Sequence, residues 1–88
     1  MDTSAFTQSL TASGYNTVTT VSRPANGGLD THTHPFEARA LIIHGEIRLD
    51  VAGHHTTYCA GEVFHLAAHV AHAEWYGPEG VTYIVGRR

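Results

Sequence analysis

Apolar and polar residues alternate with a period near two along most of this chain, and only the first dozen residues follow a helical spacing. There Phe6 and Leu10 stand four apart, Asp2-Thr3-Ser4 offers side chains suited to a helix N-terminus, and Gly14 sits where such a helix would stop. The pattern predicts a short helix over 3–12 that lays one apolar face on the rest of the chain. From Tyr15 to Arg23 the texture shifts to Val and Thr, which favour strands. Pro24-Ala25-Asn26-Gly27-Gly28 reads as a loop. Short strand-like runs follow, separated by glycines at 45, 53, 61, 77, 80 and 86. The predicted strands cover 16–22, 30–34, 37–43, 46–52, 55–59, 62–66, 71–76 and 81–86. Short strands with regular turn signals indicate an all-β sandwich or barrel. The expected organisation is an N-terminal helical segment over 1–14 and one β domain over 15–88.

Length supports that economy: 88 residues suffice for one domain and no second. A domain of this size buries only about 60–65% of its unfolded surface, so metal ligation or association would strengthen a thin stability margin. Five basic and eight acidic residues give a net charge of −3 with His neutral, and no basic run exists beyond the terminal pair Arg87-Arg88. Neither nucleic acid nor an anionic membrane finds electrostatic support. The single cysteine, Cys59, excludes an intramolecular disulfide and reads as a small buried hydrophobe. No signal peptide or membrane-spanning run is visible, so the expected location is the cytoplasm.

Candidate chemistry lies in the histidines. His32 and His34 are two apart near the start of one predicted strand, and His72 opens another. Residues two apart on a strand share a face. Neutral imidazole suits first-row metals, so a strand folding back with His72 would complete a three-nitrogen set and leave positions open for substrate. The competing arrangement is a metal-free barrel that keeps the same side chains as polar lining. Glu74 and Tyr76 share the parity of His72. Glu74 is a candidate proton acceptor or a partner for a ligand imidazole, and Tyr76 a candidate positioning hydroxyl. His44 also shares the parity of His32 and His34, but it should lie at a turn far from them. His54 and His55 fall at a hairpin, His65 alternates with Phe64 and Leu66 and should face outward, and His69 sits in a loop. Phe36, Ala40, Ile42 and Phe64 should line an apolar interior.

The stretch Gly28-Leu-Asp-Thr-His32-Thr-His34-Pro-Phe-Glu37-Ala38, followed by Gly45, resembles the first cupin motif. Gly61-Glu-Val-Phe-His-Leu-Ala67-Ala-His69-Val-Ala-His72 is similar to the second. The resemblance covers residues 15–86 and implies a small jelly-roll-like β-barrel with a metal near its mouth. Carried over by position, it assigns His32, His34 and His72 as ligands of one divalent transition metal: Fe, Ni, Zn, Mn or Cu. The motifs also depart from the family pattern. Counting back from Gly45, the position of the family's carboxylate ligand falls on Ala38, and Glu37 is one residue away, pointing to the other face of an unbroken strand. The usual Pro and Gly of the second motif are Ala67 and His69, and its terminal Asn is Tyr76.

Three-histidine cupin sites resemble those of thiol and diketone-cleaving dioxygenases. The resemblance therefore implies a metal-dependent, dioxygenase-like enzyme of a small oxygenated or dicarbonyl-type substrate. A metal-dependent isomerase or lyase, and a metal- or ligand-sensing module without turnover, stand beside it. A barrel this small leaves strand edges exposed, and pairing of strand 16–22 with its counterpart in a second copy would make a homodimer.

Overall fold

The computed structural model describes residues 1–88. One helix, α1 (Ser4–Ala12), precedes six strands: β1 (Thr17–Arg23), β2 (Gly28–His32), β3 (Ala38–Val51), β4 (His54–Cys59), β5 (Val63–Leu66) and β6 (His72–Arg87). All strand pairings are antiparallel. The long strands β3 and β6 pair with each other and form the spine. The short strands sit on their outer edges, β5 and β4 along β3, and β1 and β2 along β6. This is the all-β, jelly-roll-like architecture expected from the spacing of turn signals. No helix is long and apolar enough to cross a membrane.

Two pairs of predicted strands are fused. Segments 37–43 and 46–52 run on as β3, and 71–76 and 81–86 as β6. The glycines between them do not end the strands; they bend them. Register shifts between Ile42 and His44, and again between Gly45 and Ile47, mark that bend in β3. The shifts also change which residues face inward. Ala38, Ala40 and Ile42 are buried before the bend and Ile47 and Leu49 after it. His44 consequently leaves the face it would share with His32 by simple alternation. It lies exposed within the strand rather than at a turn, 3.7 Å from the Glu79 carboxylate. At the far end of β3, Ala52 and Gly53 both take positive φ, as a two-residue type I′ hairpin requires, and the chain returns as β4.

Ala38, Ala40, Ile42, Ile47, Leu49, Phe64, Leu66, Tyr76, Val81, Tyr83 and Val85 form one hydrophobic core. The helix docks onto it through Leu10, which is fully buried. A side chain at Gly86 would come within 2.9 Å of Leu10 and Tyr15, so glycine there is what lets α1 lie against β6. Its C-terminus closes with Gly14 at φ 85° and a hydrogen bond from the Tyr15 N–H to the Leu10 carbonyl. β1 pairs only with β6 of its own chain and leaves its outer edge free. Cys59 departs from expectation: it is exposed, because it ends β4 at the turn that leads through Gly61 into β5.

The C-terminal residue meets Glu37. The backbones of Glu37 and Arg88 exchange N–H···O=C hydrogen bonds of 2.9 and 3.0 Å. The Arg88 guanidinium donates to Glu37 Oε1 at 2.7 Å, and His65 pairs with Glu37 Oε2. The hydrogen bond from Arg88 and then that from His65 hold the Glu37 carboxyl down to about 2, against an ordinary 4.5. A depressed folded-state value contributes stability above the unfolded value and loses it as pH falls toward the folded one. Acid titrations of stability should therefore separate wild type from Glu37→Gln above pH 4.5, and the gap should close between 4.5 and about 2. An unchanged gap at pH 2 would show that Glu37 acts through packing alone.

Candidate metal centre

β2 and the start of β6 build the site together. His32, the last residue of β2, pairs across the ladder with His72, the first residue of β6. His34 lies two residues beyond β2, outside the strand expected to carry it, in the turn leading to β3. That turn is pinned by the His69 N–H, which donates to the His34 carbonyl at 2.9 Å. His69 itself stands at φ 65°, so a loop residue in the left-handed region links the second motif to the first. The three rings converge. Centroids lie 4.3 Å apart for His32–His72, 4.8 Å for His34–His72 and 5.8 Å for His32–His34. One ring nitrogen from each falls within 4.8 Å of the other two.

Hydrogen bonding sets which nitrogen is free. Nδ1 of His32 meets the Asp30 carbonyl at 2.7 Å, and Nδ1 of His72 meets the Val70 carbonyl at 2.9 Å. A carbonyl only accepts, so each Nδ1 carries the proton and each Nε2 presents a lone pair. Nε2 of His72 is buried with no partner, as is Nδ1 of His34. An unpaired buried polar atom costs about 1–3 kcal/mol. Burial, followed by the neighbouring His72, lowers the pKa of His34 and favours the neutral form that binds metal. A backbone carbonyl orienting the imidazole from behind is the arrangement metal-ligating histidines adopt. The donor set fits a first-row divalent ion.

Glu37 takes no part in the cluster, since its carboxylate is held by Arg88 and His65. Ala38 faces the cavity in its place. Glu74, 7% exposed, stands beside the histidines with Oε2 3.9 Å from His72 Nε2. Its Oε1 accepts a 2.7 Å hydrogen bond from the Tyr76 hydroxyl. Burial and the Glu74 carboxylate push the Tyr76 phenol well above its ordinary value, so it remains a donor. Tyr76 thus stands behind Glu74, outside the cavity lining. His44, His54, His55, His65 and His69 are exposed and lie outside the cluster.

The cavity above the rings has a volume of about 110 Å³. Phe36, Phe64, Leu66 and Val85 supply apolar walls, while Ala40 and Ile42 lie in the core outside its lining. His34 stacks flat on Phe36, with centroids 4.4 Å apart. Three further residues reach the cavity: Arg23 from the end of β1, and Tyr83 and Arg87 from β6. Burial, then the charge of Glu74, pushes the Tyr83 phenol up to about 12. None of these three has a local sequence signal; they line the cavity from separate positions along the β1–β6 ladder.

Comparison with known proteins bears on this architecture. The RmlC-like cupin from Shewanella frigidimarina superposes with a TM-score of 0.69 at 21% identity, over 80% of this chain and 62% of that one. This chain has the cupin fold. The cupin domain of Cnp3 from Schizosaccharomyces pombe matches with a TM-score of 0.72 at 17% identity, over 80% of this chain and 53% of that one. The DMSP lyase DddQ from Ruegeria pomeroyi matches with a TM-score of 0.72 at 24% identity, over 81% of this chain and 36% of that one. The matched part of this cupin barrel thus spans less than two thirds of the length of each. No protein-family model and no curated protein sequence matches the chain.

Proposed function

We propose that the chain is a metal-dependent enzyme of the dioxygenase type, acting on a small oxygenated or dicarbonyl-type substrate. The observation that carries this reading is the set of three converging imidazoles beside a cavity where Ala38 stands at the position of the family's carboxylate ligand. Such a set leaves coordination positions for a bidentate substrate and a further small molecule. A bound metal would supply Lewis acidity and, if redox-active, the means to use O₂.

The chain's own residues bind, orient and shield. His32, His34 and His72 would hold the ion, with the Asp30 and Val70 carbonyls fixing the rings of His32 and His72. Phe36, Phe64 and Leu66 exclude water from one side of the cavity. Glu74 Oε2 is free to receive a proton from bound substrate, because Tyr76 engages only Oε1. That same carboxylate favours a second reading, redox-neutral isomerisation or elimination at a metal-polarised carbonyl.

Oxygen-electrode assays on protein loaded separately with Fe(II), Ni(II) and Zn(II), with acetylacetone and a thiol panel, separate these readings. The dioxygenase reading predicts O₂ uptake matched to substrate loss with a redox-active metal and none in His72→Ala. Substrate conversion without O₂ uptake, supported equally by Zn(II), selects the second reading. Metal uptake with no turnover on any substrate points to a sensing module.

A further inference from the structure

All five basic residues of this chain are arginines, and their placement is uneven. Arg48 pairs with Asp50 at 3.3 Å and lies over Trp75. Arg88 pairs with Glu37, and Arg39 lies over Phe6 at the helix. The remaining two, Arg23 and Arg87, both line the cavity above the histidines. Neither has a carboxylate within ion-pair distance, although the chain carries eight acidic residues. Arg87 sits 4.7 Å over the ring of Phe36, whose opposite role is to stack on His34. Glu74 is the one acidic residue in the lining, and the Tyr76 hydroxyl already engages it.

Two guanidiniums from opposite ends of the β1–β6 ladder line one cavity, both without a protein counter-ion, and so offer donors to an external anion. Arginine presents a planar fork of donors that matches carboxylate geometry, and such charge-assisted bonds are about twice as strong as neutral ones. At about 110 Å³ the cavity has room for a small organic ligand. We propose that the substrate is a small organic carboxylate, its acid group held by Arg23 and Arg87 while a neighbouring oxygen donor faces the three histidines. This rests on the metal-dependent reading only for the second half; the arginine contact stands on its own. It narrows dicarbonyl-type substrates to 2-oxo or 2-hydroxy acids and disfavours neutral diketones.

The test is calorimetric binding of pyruvate, methyl pyruvate and inorganic phosphate to the full chain, stripped of metal and then loaded with redox-silent Zn(II). Pyruvate should bind about tenfold or more tighter than its neutral ester. Arg23→Gln and Arg87→Gln should each weaken pyruvate by about tenfold and leave the ester unchanged. Both side chains are exposed and free of ion pairs, so Arg23→Gln should keep its thermal stability, Arg87→Gln should lose only its contact with Phe36, and Arg87→Lys should recover part of the binding loss. Equal binding of acid and ester, no pyruvate binding at millimolar concentration, or variants without effect would each overturn the proposal. Phosphate binding tighter than pyruvate would overturn the carboxylate assignment. An arginine-dependent preference for pyruvate in protein that takes up no Zn(II) would remove the metal reading alone. Zn(II) uptake with no acid preference would remove this proposal alone.

Discussion

Replacing Glu74 by Gln should leave metal bound and lower turnover by about 10²–10⁴-fold, the range typical of a lost general acid–base group. The carboxamide keeps the size of the side chain and can still accept the Tyr76 hydroxyl through its oxygen, so the 2.7 Å contact behind the site survives. What it cannot do is receive a proton on the second atom, which lies 3.9 Å from His72 Nε2. Tyr76→Phe should be milder, because that hydroxyl is outside the cavity and acts only by orienting the carboxylate. Metal content and single-turnover rate, measured on the same samples, check both. Loss of metal in Glu74→Gln would show instead that the carboxylate holds His72, and unchanged turnover would leave Glu74 a structural group.

Gly45→Ala should destabilise the fold by about 3 kcal/mol or more, through a left-handed backbone that now carries a Cβ and a clash it cannot relieve. Gly45 has φ 75°, and a Cβ there would run into the Gly80 carbonyl on β6. Because that obstacle is backbone in the central β3–β6 ladder, no side chain can swing aside. The consequence reaches the site, since the bend at Gly45 sets the register that brings Leu49 opposite Glu74. Gly53→Ala is the control: its φ of 81° carries the same conformational penalty, but a Cβ meets nothing within 4 Å. It should cost only about 1–2 kcal/mol. Urea unfolding midpoints for the two variants separate them. Equal shifts would mean that the β3–β6 crossing relaxes and that Gly45 is needed for its φ alone.

Much of this molecule is legible in its sequence because period-two alternation is local. His72, Glu74 and Tyr76 share an inward face on β6, as spacing alone requires, and His65 faces out between Phe64 and Leu66. Alternation fails where the chain bends. His44 leaves the face it shares by parity with His32 because a register shift between Ile42 and His44 intervenes, and glycines that look like strand ends turn out to be bends within β3 and β6. Cys59 is small and apolar enough for a core, yet it ends at a turn where nothing covers it. His34 lies beyond the end of β2, so its place in the cluster follows from the turn held by the His69 N–H rather than from strand parity. Arg23, Tyr83 and Arg87 are the largest omission. Arg23 and Arg87 stand at opposite ends of the β1–β6 ladder, across from Val81 and Thr17, so no local pattern reports that both line the cavity.

Metal content of protein purified without a histidine tag, measured beside the His32→Ala/His72→Ala double variant, tests the central claim most directly. The three-histidine site predicts about one first-row divalent ion per chain in the native protein and none in the variant. Added metal at 100 times its dissociation constant should also stabilise only the native protein, by about 2.7 kcal/mol. A native protein that holds no metal after reconstitution, or a double variant that keeps it, would contradict the site.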